Sequence, residues 1–277
     1  MGLHKDNKLN KLHNLLPEGV AVPSKWLVEQ GYSRQLVRKY VQSQWLQSLG
    51  RGVYARPQSV PNWQGLVLGM QHFAHSPFHV GGVSALNLQG YAHYLPLGGN
   101  DKGNSNKANR EIIHLWVQSN ARGKAPAKVP AWVKAVTIAE TLTFHPRQLF
   151  DEPAQDVGFE SIPSGVRDLQ LKVSAPERAI MEVLYDVQDD EHAFTHALEL
   201  FEGLTSLRPK RVNTLLQHCR SIKVKRLFLF MVDQFSYPWI ARIEKNQLDL
   251  GSGKRVIVKG GKLDKQYLIT VPERRHQ

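Results

Sequence analysis

Apolar positions near the amino end repeat at helical spacing and are separated by turn residues. A helix predicted over residues 5–16 carries its apolar side chains on one side: Leu9, Leu12, Leu15 and Leu16. Pro17 and Gly19 follow and end this helix. After a short extended stretch, a second helix is predicted over residues 23–30, with Gly31 as its stop.

Residues 33–44 predict a third, amphipathic helix. Ser33 is suited to cap it, because a serine hydroxyl accepts a hydrogen bond from a first-turn amide. The apolar residues form one inward stripe: Leu36, Val37, Tyr40 and Val41. The remaining residues project outward: Arg34, Gln35, Arg38, Lys39 and Gln42. This helix therefore buries one face and presents a polar, basic face to its surroundings.

Two short strands, residues 45–49 and 53–56, are predicted on either side of Gly50-Arg51-Gly52. The glycines permit a tight turn that places an arginine at the hairpin tip. Three helices followed by a hairpin within about 60 residues are typical of a winged helix-turn-helix, a DNA-binding module. We therefore predict such a domain at residues 1–60.

Residues 61–277 mix helical and strand patterns, so the fold class predicted for the chain is α+β. Helices are predicted over 63–75, 82–91, 193–202 and 209–218, and strands over 111–118, 133–143, 169–173, 226–232, 239–244, 255–259 and 266–271. Residues 101–109 are expected to form a mobile loop, and residues 121–130 a connection. We predict one mixed α/β domain over 61–277, which divides further, if at all, near residues 190–205.

One further helix is predicted from its first turn. Pro176 starts it, Ser174 caps it and Glu177 satisfies its end amides. Arg178 is then expected to brace the neighbouring sheet through an ion pair or carbonyl contacts. This structural role is favoured over a catalytic one.

The net charge of +12 is unevenly distributed. Residues 1–60 carry +6, residues 61–204 carry −5 and residues 205–277 carry +11. Two basic ends around an acidic middle are expected if the ends face a polyanion; a generally basic surface is the alternative. The chain has no apolar run of about 18 residues and no apolar leader segment, which favours a cytoplasmic protein without membrane contact.

The outward face of the third helix has the chemistry of a base-reading surface. Arg34, Arg38 and Gln42 align at a spacing of four residues, and arginine pairs with guanine as glutamine does with adenine. Ser33 and the amides of the first helical turn are suited to binding a phosphate. Lys39 is suited to the DNA backbone, and Gln35 also faces outward. Arg51 suits a phosphate or a narrow minor groove. Each residue alone is better explained as a solvated surface group, and the prediction rests on their combination.

The basic carboxyl-terminal segment predicts a second nucleic-acid surface. Seven cations cluster around one predicted helix and its exit: Arg208, Lys210, Arg211, Arg220, Lys223, Lys225 and Arg226. Five more line the final predicted strands: Lys254, Arg255, Lys259, Lys262 and Lys265. The alternative is a solvated sheet edge that lysines protect against aggregation.

Catalytic, metal and cofactor sites are not predicted. Residues 81–84 (GGVS) lack the closely spaced carboxylates that a nucleotidyltransferase needs for magnesium. His72, His75 and His79 have Pro77 between them and no nearby carboxylate or cysteine. The single cysteine, Cys219, excludes an internal disulfide, and the acidic run 186–191 is interpreted as a solvated turn.

Three stretches carry a resemblance to a known family. Residues 49–54 (LGRGVY) resemble the wing of AbiEi-type antitoxins, the antitoxin-regulators of type IV toxin–antitoxin systems. Residues 79–90 (HVGGVSALNLQG) and 174–184 (SAPERAIMEVL) are similar to later parts of that family, in the same order. The resemblance spans roughly residues 7 to 190 and does not extend to the last 70 or so residues.

The resemblance implies a winged helix that represses the system's own promoter, usually at inverted repeats. It also implies a carboxyl-terminal domain that counteracts a nucleotidyltransferase-like toxin without a stable complex. The expected partners are therefore operator DNA and this toxin. Two alternatives remain: an antitoxin that acts through protein contacts alone, and a nucleic-acid-modifying enzyme with an unrecognised site.

Overall fold

The computed structural model describes residues 3–91, 110–118, 126–152 and 154–273. The chain divides into two compact units. The first comprises Met1–His79, Pro96–Pro146 and Ser161–Lys172, and the second comprises Val80–Leu95, Arg147–Glu160 and Val173–Gln277. The unit that contains the first sixty residues therefore also includes later segments, and the predicted domain boundary near residue 60 stays a prediction.

The first six elements have the order of a winged helix-turn-helix. They are helix α1 (Leu3–Leu15), strand β1 (Val22–Pro23), helices α2 (Ser24–Glu29) and α3 (Arg34–Gln42), and strands β2 (Gln47–Gly50) and β3 (Val53–Ala55). The strands form an antiparallel sheet in the order β1-β3-β2, with Val22 opposite Tyr54 and Gln47 opposite Ala55. The predicted fold class, α+β with an N-terminal winged helix, is confirmed.

Local signals begin and end these helices. The Ser33 hydroxyl accepts a hydrogen bond from the Leu36 amide at 3.2 Å, as the predicted cap of α3 requires. Gly31 adopts φ +86° between α2 and α3, a left-handed conformation that suits glycine. The helices and strands enclose a shared apolar core: Leu12, Leu16, Leu27, Tyr32, Val37, Leu46 and Val53 are all buried.

A helix beyond residue 60 packs closely against this domain. Helix α4 (Trp63–Leu68) continues as a π-helical turn (Gly69–Phe73). A Cβ atom added at Gly65 would lie 1.7 Å from the Gly19 carbonyl oxygen, and one at Gly69 would lie 2.0 Å from that of Ala21. Only glycine permits this approach, so the backbone that leads into β1 lies directly against α4.

The largest sheet has five strands. They are β4 (Phe78–Val80), β5 (Ile112–Val117), β6 (Thr141–His145), β7 (Phe159–Pro163) and β8 (Gln170–Ser174), in the order β6-β5-β4-β8-β7. Strand β5 runs parallel to β6, from the pair Ile112–Thr141 to the pair Trp116–His145. Strand β4 is parallel to β8 and buried at all three positions, as expected for a central strand.

The second unit is mainly helical. Its helices are α5 (Gly82–Leu88), α6 (Pro176–Asp186), α7 (Glu191–Glu202), α8 (Pro209–Gln217) and α9 (Ile222–Val232). Phe201 lies at its centre, with its ring 5.3 Å from that of Phe228 and 6.1 Å from that of Trp239. Strands β9 (Arg255–Val256), β10 (Lys262–Asp264) and β11 (Ile269–Val271) form a small sheet in the order β10-β11-β9.

Three strand predictions were wrong. Residues 226–232 belong to helix α9, whose first turn is capped by the Ser221 hydroxyl. A continuous apolar run has no periodicity that distinguishes a buried helix from a strand, which explains the error. Residues 239–244 contain a 3₁₀ turn (Ile240–Arg242) in place of a strand. Of residues 133–143, only those from Thr141 onward are β6, and a 3₁₀ turn (Ala131–Ala135) occupies the beginning.

The predicted capping of α6 was also wrong. Ala175 is the residue before the helix, and the Ser174 hydroxyl instead donates to Glu182 at 2.8 Å. Glu177 accepts a hydrogen bond from the Arg208 amide at 2.8 Å. The expected ion pair and carbonyl contacts of Arg178 are confirmed, with Glu182 and with the segment 154–157.

Some expectations fall beyond the described ranges. The loop predicted at 101–109 lies outside them, as do residues 121–125 of the predicted connection. Among the described helices, none combines the length and the apolar character that crossing a lipid bilayer requires.

Candidate nucleic-acid interface

Helix α3 is held by one face only. Val37 is buried with 2% exposure, and the Tyr32 hydroxyl, just before the helix, donates to the Lys8 carbonyl of α1 at 3.1 Å. All six predicted DNA-contacting positions at this helix are exposed: Ser33, Arg34, Gln35, Arg38, Lys39 and Gln42. The polar face therefore meets solvent along its whole length.

The cations of this face are free of intramolecular neutralisation. Within the ranges that the structure describes, no ion pair or side-chain hydrogen bond involves Arg34, Arg38, Lys39 or the hairpin residue Arg51. The ion pairs of this domain lie elsewhere, at Lys25–Glu29 on α2 and at Arg56–Glu18. Unpaired, exposed guanidinium and ammonium groups attract a polyanion at long range.

The wing supports Arg51 through its glycines. Strands β2 and β3 are irregular between Ser48 and Gly50, and Gly52 adopts φ +77°. The Gly52 carbonyl accepts a hydrogen bond from the Ser24 amide of α2 at 2.8 Å, which fixes the turn to the helical part of the domain. Arg51 itself is exposed at the turn, as predicted.

Two residues join the candidate interface that sequence reasoning did not select. Trp45 follows α3 and is 47% exposed, with its ring 5.9 Å from that of His13. Lys25, in the first turn of α2, has a side chain that is 88% exposed. The sequence shows only that Trp45 follows the basic helix; its exposure, which is unusual for a large aromatic residue, is seen only in the structure.

Two family profiles match the chain. The profile described as the transcriptional regulator AbiEi antitoxin N-terminal domain matches residues 5–97, and so includes α3 and the wing. The profile described as the transcriptional regulator AbiEi antitoxin of type IV toxin–antitoxin systems matches residues 110–272. The chain belongs to the AbiEi antitoxin family. The second match extends the family relationship through the last 70 residues, where the sequence motifs gave no resemblance.

Other comparisons add little to the site of this AbiEi antitoxin. No curated protein sequence matches it. The crystal structure of the RV2827C protein from Mycobacterium tuberculosis is similar over 91% of this chain and 86% of that one, with 13% identity and a TM-score of 0.47. This likeness is too distant to support an argument about individual residues.

The predicted second nucleic-acid surface of the AbiEi antitoxin requires correction at three positions. Arg226 and Lys225 are buried, with 2% and 6% exposure. Arg226 donates to the carbonyls of Leu250, Gly251 and Gly253 at 2.6–3.1 Å, and Lys225 donates to that of Asp249. The Lys223 ammonium donates to the carbonyls of Tyr185 and Val187. These three cations hold backbone segments of the second unit and do not form a surface.

Most of the other four cations are paired with carboxylates. Arg208 and Arg211 both contact Glu160 at 2.7 Å, and hydrogen bonds from Arg211 and Arg208 lower the pKa of that carboxyl group. Arg220 pairs with Asp151. Lys210 is exposed and has no ion pair among the described residues. A role in nucleic-acid binding stays a prediction for these four.

The cations of the final strands are more accessible. Lys254, Arg255, Lys262 and Lys265 are exposed, while Lys259 pairs with Asp189 at 2.7 Å. On and around the small sheet of the AbiEi antitoxin, the basic residues that give the segment its net charge are therefore also accessible to solvent.

His72, His75, His79 and Cys219 have side chains capable of metal binding or nucleophilic chemistry. His72 contacts the Gln170 carbonyl at 2.8 Å, and His79 is buried. With His75, these residues do not converge on a common point within the described chain. Burial raises the pKa of the Cys219 thiol to about 11, so it is protonated near neutral pH and a weak nucleophile.

Proposed function

We propose that this AbiEi antitoxin binds operator DNA through α3 and the wing and represses its own promoter. One observation supports this most strongly: four cations, Arg34, Arg38, Lys39 and Arg51, are exposed and unpaired on a helix and a hairpin that belong to one domain.

The proposed contacts follow from the chemistry of each side chain. Arg34 and Arg38 read guanine edges in the major groove, and Gln42 and Gln35 suit adenine. Ser33 and Lys39 hold phosphates, which position the helix without reading sequence. Arg51 lies along the backbone or enters the minor groove. One winged helix per chain reads one half-site, so an inverted repeat takes two copies.

Replacing Arg38 tests this assignment. We expect Arg38→Ala to weaken binding to a duplex from the protein's own upstream region by about 1–3 kcal/mol, with relaxed preference at one base pair. Fluorescence anisotropy with a set of single-base operator variants measures both effects. The matched control is Arg242→Ala, which removes an exposed arginine of the second unit and should leave the affinity unchanged.

The outcomes separate three roles for Arg38. An equal loss on every sequence would show that Arg38 holds only the phosphate backbone. No loss would place it outside the interface. Wild-type protein that bound its upstream region no better than a shuffled duplex would overturn the proposal as a whole.

We also propose that the protein counteracts a nucleotidyltransferase-like toxin in the cytoplasm, without catalysis of its own and without a stable complex. The family's description as a type IV antitoxin supports this part. Co-expression should restore growth to cells that produce a cognate nucleotidyltransferase-like toxin, whereas affinity capture of the tagged antitoxin should recover no toxin. Recovery of a stoichiometric complex would instead support the alternative of an antitoxin that acts by protein contact.

A further inference from the structure

A cavity of about 480 Å³ lies in the first unit. It is bounded by Leu66 of α4, by residues of the segment 129–140 and by the start of β6. Five of its apolar lining residues are only half-buried: Val129, Val136, Ile138, Leu142 and Phe144. A concave, mostly apolar site of this volume is within the range that binds small molecules.

One polar group in the wall lacks a partner. Glu140 lines the cavity, and one of its carboxylate oxygens is buried without a hydrogen bond in the described part of the chain. Lys134 also lines the cavity but is exposed and forms no ion pair there with Glu140. Glu140 is half-buried and has no ion pair among the described residues, so a cation bound in the cavity would stabilise its charge.

A second carboxylate strengthens the preference for a cation. Partial burial and, secondarily, the negative charge of Glu140 raise the pKa of Glu111. Glu111 does not itself line the cavity, but a positive charge next to Glu140 would reduce the repulsion between the two carboxylates. We propose that this cavity binds a small apolar molecule that carries a protonated amine, and that the bound molecule lowers the affinity of the wing for DNA.

The cavity wall is in direct contact with the wing. Val133 and Lys134 belong to the 3₁₀ turn Ala131–Ala135, and a Cβ atom added at Gly50 of β2 would lie 2.5 Å from the Ala135 carbonyl oxygen. The space between this turn and the wing is therefore filled. A ligand that displaces the turn pushes Ala135 against Gly50, next to Arg51. The proposed effect of the ligand on DNA binding (the regulatory half) rests on the proposed function. The proposed binding of an amine in the cavity (the binding half) does not.

Phenylbutylamine, phenylbutanol and phenylbutyrate make a matched set of probes, because they differ only in the head group. By calorimetry on the full chain, we expect the amine to bind at least about tenfold more tightly than the alcohol, and the carboxylate to bind least. Glu140→Gln should remove the advantage of the amine. Glu244→Gln, at an exposed position, should preserve it, and Ile138→Trp should narrow the cavity and reduce binding of all three.

Calorimetry tests amine binding in the cavity, and the operator affinity tests its effect on DNA binding. Equal affinity for amine and alcohol in the wild type, or no binding of either, would overturn the site even if a variant failed to fold. The saturating amine should weaken operator binding at least about fivefold. Amine binding with unchanged operator affinity would overturn the regulatory half alone. Failure of the free protein to bind its operator would overturn the proposed function, while calorimetry would still decide the cavity.

Discussion

Arg178→Ala is expected to lower the free energy of unfolding by about 3–5 kcal/mol, the range for breaking a buried ion pair on one side. Arg178 is 1% exposed, and its Nε donates to Glu182 at 3.2 Å. Its Nη1 donates to the Val157 carbonyl at 2.9 Å, and its guanidinium lies 4.3 Å from the centre of the Phe159 ring. Truncation leaves the charge of Glu182 without its cationic partner and the Val157 carbonyl without this donor.

Urea denaturation of the full chain measures this effect. Arg220→Ala is the matched control in the same unit, because it removes an arginine from the half-exposed pair with Asp151. Exposed ion pairs contribute about 0–1 kcal/mol, so the control should change stability little. Arg178→Lys should recover only part of the loss, since lysine cannot reproduce the planar fork. A loss below about 1 kcal/mol for Arg178→Ala would contradict the structural role.

The partner of Arg178 explains two stretches of sequence together. Glu182 also accepts hydrogen bonds from the Gly82 amide and the Ser174 hydroxyl, both at 2.8 Å. Gly82 adopts φ +55° at the start of α5, which suits glycine. Gly82 from residues 79–90, and Ser174 and Arg178 from residues 174–184, thus meet at one buried carboxylate. Sequence reasoning placed each group in its own helix, because nothing in the sequence shows that they share a partner.

The amino-terminal domain was predictable because its determinants are local. A capping serine at Ser33, a stop at Gly31 and an apolar stripe through Val37 act within a few residues of one another. The same locality made the candidate interface predictable. A basic face opposite an apolar stripe must be exposed if the stripe is buried. Trp45 was missed because its exposure depends on how β2 leaves the helix.

The carboxyl-terminal half was less predictable because its determinants are distant in sequence. Arg226 is buried only because carbonyls 24–27 residues later fold over it. Glu160 pairs with both Arg208 and Arg211 across about 50 residues of sequence. A cluster of basic residues therefore indicates net charge but not accessible charge, and the predicted second surface failed at the residues whose charge is used internally.

Salt dependence is the test with the largest expected effect on binding. If α3 and the wing neutralise about five phosphates, the affinity for operator DNA should fall with a log–log slope near −4.5. That slope corresponds to a loss of about 500-fold between about 50 and about 200 mM monovalent salt. The available cations are sufficient, since Arg34, Arg38, Lys39, Arg51 and Lys25 are all exposed in one domain.

The slope also separates phosphate contacts from other kinds of binding. Lys39→Ala should make it shallower by about one, because each lost phosphate contact retains one counterion on the DNA. Arg242→Ala should leave the slope unchanged. A nearly salt-independent affinity in the wild type would mean that the exposed cations of α3 do not meet a phosphate backbone. The winged helix would then serve as a protein-docking module, and repression of the promoter would need another part of the chain.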